Sequence, residues 1–219
     1  MAKTKFFYRH PDLEKGFRDE EFKTKKELFD FLAENKTVLM TEKKFIPKKA
    51  DSFSLSNFVY HEKENAFKSN DTIDTANLNE IKTLVAINTT NLFDSHKDVH
   101  LPGLWKKSLS ENKFIMHLQE HSMAFEKIIA KGKDLKAYTK NFTWKELGYD
   151  YKGTTEALLF ESIIRRKRNP VMFDQYANGY VDNHSVGMKY VSLTLCVDDD
   201  GEDFGAEYEA WEKYFPLIA

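Results

Sequence analysis

Residues 114–125 read Phe-Ile-Met-His-Leu-Gln-Glu-His-Ser-Met-Ala-Phe. Inside this stretch His117, Glu120 and His121 satisfy the pattern H-x-x-E-H. On a helix, that spacing presents two imidazoles one turn apart, which suits a zinc ion with the glutamate as general base. On a strand, the same residues serve other purposes: half-buried polar positions, or one histidine of a different active site. The flanks favour a strand. A helix here needs its own N-cap and about ten residues, and Ser110-Glu-Asn-Lys113 reads as the end of a preceding helix instead. Spacing alone leaves both readings open, because residues four apart share a face in either conformation.

Working outward, the upstream segment "LPGLWKKSLSENK" reads as a short helix. Pro102 lies near its first turn, and Trp105 and Leu109 share one face. Before it, "IKTLVAINTT" has strand composition. Downstream, "AFEKIIAKGKDLKAYTKNF" reads as a hairpin-like pair broken at Lys131-Gly132-Lys133, and "TEALLFESII" is an apolar run of either type. A punctuated helix follows, with Asn169 as N-cap, Pro170 at N1 and Gly179 at C′. Met172, Phe173 and Tyr176 lie on one side of it. Beyond Ser185, Val191, Leu193, Leu195 and Val197 alternate with smaller residues as a strand of period two. "EYEAWEKYF" is helix-like, with Tyr208, Trp211 and Phe215 on one face.

Residues 1–75 differ from the rest. They are rich in Lys, Glu, Asp and Asn. Thr24-Lys-Lys-Glu27 is a capping box ahead of an apolar stripe at Leu28, Phe31 and Leu32. "TVLMTEKKF" has the look of a short strand. Residues 52–80 are Ser/Asn/Asp-rich and read as a loose connector.

The 219 residues include 41% hydrophobic and 14% aromatic side chains, enough for a sizeable core. Charged residues make up 31%, but the net charge is only −2, which argues against binding nucleic acid by bulk electrostatics. The single cysteine, Cys196, rules out a disulfide within the chain and fits a reducing compartment. The N-terminus has no signal-peptide core, and no apolar run approaches membrane-spanning length. Neither a GxGxxG nor a GxxxxGK[ST] motif is present, so nothing in the sequence is built to cradle nucleotide phosphates.

Ser185 stands in "DNHSVGMKY", between a helix stop and an extended segment, where a hydroxyl can be held on a fixed backbone. Gly187 allows another chain to approach closely. Read alone, Ser185 is better taken as a surface or capping serine.

Three blocks in order carry a resemblance. They are Asp94-Ser-His-Lys-Asp98-Val-His-Leu-Pro102-Gly103-Leu-Trp105, then Leu118-Gln-Glu-His121, then Ser185-Val186-Gly187-Met188. Over about residues 80–197 the chain resembles the prohead maturation proteases of tailed bacteriophages, in their crAss-like phage form, which are related to the herpesvirus assembly proteases. The resemblance implies an α+β fold, a mostly antiparallel β-barrel wrapped by helices. It implies a serine protease domain over 76–219; the N-terminal extension over 1–75 falls outside the resemblance and reads as a pro-segment, a scaffold-targeting segment or a plain extra structural layer. Ser185 would be the nucleophile and His121 the base, with neither cofactor nor metal.

The implied substrates are phage scaffold and major capsid proteins, and the enzyme itself, inside the prohead in the host cytoplasm. Self-association is compatible with this, whereas nucleic acid and membrane are not expected partners. The family's third residue, an acid on a strand beyond the serine strand, has no counterpart here. Glu202, Asp203, Glu207 and Glu209 follow in a loop or helix-like context, so either the chain is a fragment or the orienting residue comes from elsewhere. His184, adjacent to Ser185, would point to the opposite face and is not assigned that role. The run Arg165-Arg166-Lys167-Arg168 reads as a solvated turn, or as a contact for an acidic scaffold. A zinc hydrolase using His117 and His121, and an inactive capsid-assembly protein with the protease fold, stand as alternatives.

Overall fold

The computed structural model describes residues 6–8, 20–45, 48–50, 59–61, 66–68, 78–94, 98–111, 115–181 and 184–219. It is an α+β protein with antiparallel sheets and four α-helices among the described residues. No sheet among them closes into a barrel. By contact the chain forms two compact units. One comprises residues 1–49 and 187–218; the other comprises 50–186 with Ala219. The sequence boundary drawn at residue 75 lies outside the described residues, as does most of the connector over 52–80. Within the connector, β4 (Val59–His61) and β5 (Ala66–Lys68) form a short antiparallel pair.

In the first unit, β1 (Phe6–Tyr8) pairs with β2 (Glu20–Phe22) ahead of the long helix α1 (Lys25–Phe45). The capping box forms as expected. Thr24 Oγ1 accepts from the Glu27 amide at 3.1 Å, and the Glu27 carboxylate accepts from the Thr24 amide at 3.3 Å. The expected strand over "TVLMTEKKF" is instead the second half of α1. No glycine or proline interrupts residues 25–46, and the Leu, Met, Lys and Glu there are good helix formers that outweigh Val38 and Thr41. Lys36 pairs with Glu207 at 3.0 Å, and Phe29 meets Phe204 edge-on. Glu207 lies on α4 (Gly205–Tyr214), where Trp211 stacks on Phe215.

The expected strand at 191–197 does not form. β11 spans only Val186–Met188, with β3 (Lys48–Ala50) as its partner. Alternation becomes a strand only where a neighbour supplies a ladder. Here Val191 is 83% exposed, and the Val197 amide donates to the Glu207 carbonyl.

The second unit is built on a three-stranded antiparallel sheet in the order β6 (Glu80–Thr89), β10 (Thr154–Arg165), β9 (Leu135–Thr143). The central strand resolves the ambiguous apolar run. Covered on both faces, it reads as nearly continuous hydrophobicity rather than alternation. Its odd positions Ala157 and Leu159 pack with Phe142, Trp144 and Leu147. On the other face Ile164 packs with Ile81, Ile129, Phe173 and Tyr176. Ser162 is the buried polar residue in the even series of β10, at 1% exposed.

The expected hairpin around Gly132 is corrected. β8 (Ile128–Lys131) pairs with β7 (Met116–Leu118), while β9 pairs with β10. The short 3₁₀ turn Gly132–Asp134 carries the chain from one sheet to the other. Asp134 is buried there, bound by Arg165 Nε at 3.0 Å and Nη2 at 2.8 Å. The Arg165 guanidinium holds the Asp134 carboxyl below its ordinary range.

Candidate functional site

Residues 115–124 form no helix. β7 places His117 in its middle, opposite Ala130. The chain then turns, with the Ser122 amide donating to the Gln119 carbonyl at 3.0 Å. The two central residues of that turn, Glu120 and His121, have φ of 57° and 55°. Positive φ at both centres is the requirement of a type I′ turn, which ordinarily selects Asn and Gly. Two larger side chains there store strain of about 1–2 kcal/mol each. The strain falls on the residue the sequence proposes as a base.

His121, partly exposed, meets Ser185 across 64 positions of sequence. Its Nε2 lies 2.6 Å from the Ser185 Oγ. With Nε2 unprotonated, the hydroxyl donates to it, which is the ground-state geometry for transferring that proton. Ser185 is exposed and directly precedes β11, whose first residue, Val186, is buried and anchors the segment. The helix before it ends as the sequence requires. Gly179 has φ of 69°; its amide donates to Tyr176 O, and the Tyr180 amide to Gln175 O, a Schellman closure. At the other end Asn169 Oδ1 accepts from the Met172 amide at 3.0 Å, capping α3 (Pro170–Ala177).

His117 has a different role. It is buried, and both ring nitrogens are engaged. Nδ1 lies 3.0 Å from Ser162 Oγ, and Nε2 lies 2.9 Å from the Tyr176 hydroxyl. That hydroxyl also lies 2.6 Å from His184 Nε2. Burial, reinforced by His184, lowers the His117 pKa to about 3, and burial lowers that of His184 to about 4. Both rings are therefore neutral at neutral pH. Burial also pushes the Tyr176 phenol up, so it stays protonated. One hydroxyl proton cannot serve two acceptors, so Tyr176 donates to one histidine and accepts from the other.

The H-x-x-E-H pattern therefore does not present two imidazoles from one helix face. His117 points inward to Ser162 and Tyr176, while His121 meets Ser185. Glu120 is exposed and faces Lys127 at 3.6 Å. Among the described residues no group of three His, Cys, Asp or Glu is arranged to hold a metal ion. His184 turns its Nε2 to the Tyr176 hydroxyl. Of the acids beyond the serine, Glu207 is engaged with Lys36 in the other unit, where Glu202, Asp203 and Glu209 also lie.

The Asp94–Trp105 block builds a loop at the end of β6, with residues 95–97 outside the described set. Asp94 Oδ1 accepts from the Asp98 amide at 2.9 Å, Gly103 takes φ of 87°, and buried His100 lies 3.0 Å from Asn88 and edge-on to Trp105. The basic run is a turn tied inward. Arg165 binds Asp134 and Glu80, Arg166 lies over the Phe173 ring, and Arg168 reaches Asp134 at 3.7 Å.

Sequence reasoning missed Ser162 and Tyr176. For Ser162 a signal existed: a lone hydroxyl in the buried alternation Leu158, Phe160, Ser162, Ile164 demands a partner. No family model, no curated protein and no solved structure matches the chain. Among the described residues, no helix is long and apolar enough to cross a membrane.

Proposed function

We propose that this chain is a serine endopeptidase of phage capsid maturation. The observation that carries the reading is the 2.6 Å contact between Ser185 Oγ and His121 Nε2. These are the two residues that the prohead protease resemblance selects, one in a strained turn and the other exposed just ahead of β11. Ser185 Oγ attacks the scissile carbonyl carbon while its proton passes to His121 Nε2. The C–N bond then breaks as that proton moves to the leaving amine. Water, deprotonated by His121, hydrolyses the acyl-serine and the proton returns to Ser185.

The substrates on this reading are the scaffold protein and N-terminal segments of the major capsid protein inside the prohead, and the protease itself. The barrel fold of the resembled family belongs to the same proposal. The β6-β10-β9 sheet and the β7-β8 pair, whose β8 contacts β10, are the parts that would contribute to it. Co-production with the cognate scaffold and capsid proteins tests the function. The wild type should shorten both, and Ser185→Ala should leave them full-length. Identical processing by the two would remove the proposal.

A further inference from the structure

The contact between Ser185 and His121 joins two irregular segments, a turn after β7 and the chain entering β11. Neither segment is held by a long ladder of its own near the site. Each is tied to the same atom. The Tyr176 hydroxyl reaches His117, four residues before the base, at 2.9 Å. It also reaches His184, the residue immediately before the nucleophile, at 2.6 Å. Tyr176 itself is fixed. It is 7% exposed on the inner face of α3, beside fully buried Phe173, and the Schellman closure uses its own carbonyl. His117 is fixed in turn by Ser162 on the central strand.

We propose that Tyr176 is a positioning residue, a clamp whose single hydroxyl sets the separation between the segment carrying His121 and the segment carrying Ser185. The clamp needs two neutral imidazoles, one accepting and one donating. Two proton arrangements satisfy it. Either Tyr176 donates to His184 and His117 donates from Nε2, leaving Nδ1 to accept from Ser162. Or Tyr176 donates to His117, which then donates from Nδ1 to Ser162, and His184 donates to Tyr176. Both hold the same heavy-atom positions. Proton-transfer geometry is sensitive on the scale of 1 Å, so loosening the clamp should reduce turnover without changing how substrate is held.

The clamp matters for catalysis only if the protease reading holds, and the test separates the two. Tyr176→Phe removes the hydroxyl and keeps the ring. In full-length protein labelled with ¹⁵N-histidine, the Nε2 resonance of His121 reports its bond to Ser185. The clamp predicts that this resonance moves toward that of an unbonded imidazole in Tyr176→Phe, while near-UV dichroism stays native. It further predicts a kcat reduced roughly 10- to 100-fold with KM changed by less than about twofold. An unmoved His121 resonance overturns the clamp, whether or not the wild type proves to be a protease. Should Tyr176→Phe fail to fold, His117→Gln and His117→Leu decide the matter. Gln still offers the Tyr176 hydroxyl a partner, so it should keep the wild-type His121 resonance better than Leu. Equal behaviour of the two overturns the proposal.

Discussion

Acidifying the protein from pH 7 to pH 5 should weaken the second unit through His117. An unfolded histidine takes up its proton near pH 6.5, whereas the buried ring of His117 resists until about pH 3. Between those values the unfolded chain binds more protons, so stability falls as pH falls. The loss begins near pH 6.5 and reaches about 2 kcal/mol at pH 5 for this one group. It continues until the folded form also protonates. His184, lowered to about 4, acts in the same direction. Asp134 acts elsewhere. Its carboxyl is held low by Arg165, so its contribution is present above about pH 4 and is lost only as pH falls below that. Urea denaturation at pH 7, 6 and 5, followed by near-UV dichroism, measures the effect, with His117→Gln as the reference that does not titrate. The wild type should lose about 2 kcal/mol more than the variant over that interval. Equal losses, or a wild-type midpoint that rises on acidification, would refute the assignment of a buried neutral imidazole at this position.

The sheet and the helix that support the site make further predictions. Leu159→Ala empties a position only 1% exposed between β6 and β9, and should cost about 2–5 kcal/mol in urea denaturation. Asn169→Ala removes the cap of α3 and the bond from its Nδ2 to Glu126 O at 3.1 Å, costing about 0.5–2 kcal/mol by the same assay. Arg165→Ala removes the guanidinium that donates twice to Asp134 Oδ1, so the carboxyl should titrate at a higher pH than in the wild type, read by ¹³C chemical shift.

The parts of this fold that local chemistry decides were legible in the sequence. The capping box at Thr24, the Asn169–Pro170 start and the Gly179 stop all form, because each is satisfied by atoms within a few residues. Pairing was less legible. Residues 128–143 have the composition of two strands around a glycine, but the partners are β7 and β10, and only the packed sheet decides between those and a hairpin. The alternation at 191–197 is a strand pattern without a ladder. In α1, "TVLM" would suit a strand, yet it continues a helix already nucleated at Thr24.

At the site, the separate fates of His117 and His121 could not be read from spacing. Two positive φ values at Glu120 and His121 break the face they would otherwise share, and neither residue type announces such a turn. Tyr176 was visible as part of an apolar helix face, but nothing in the sequence indicates that its hydroxyl reaches two histidines 59 and 8 residues away.

The pairing of Ser185 with His121 is tested most directly by a small fluorophosphonate that needs a nucleophilic serine and no extended substrate. Wild-type protein should gain one adduct, mapped by peptide mass spectrometry to Ser185, and His121→Gln should acquire it ~100- to 10,000-fold more slowly. An adduct on another residue, no adduct at all, or a rate indifferent to His121 would contradict the account.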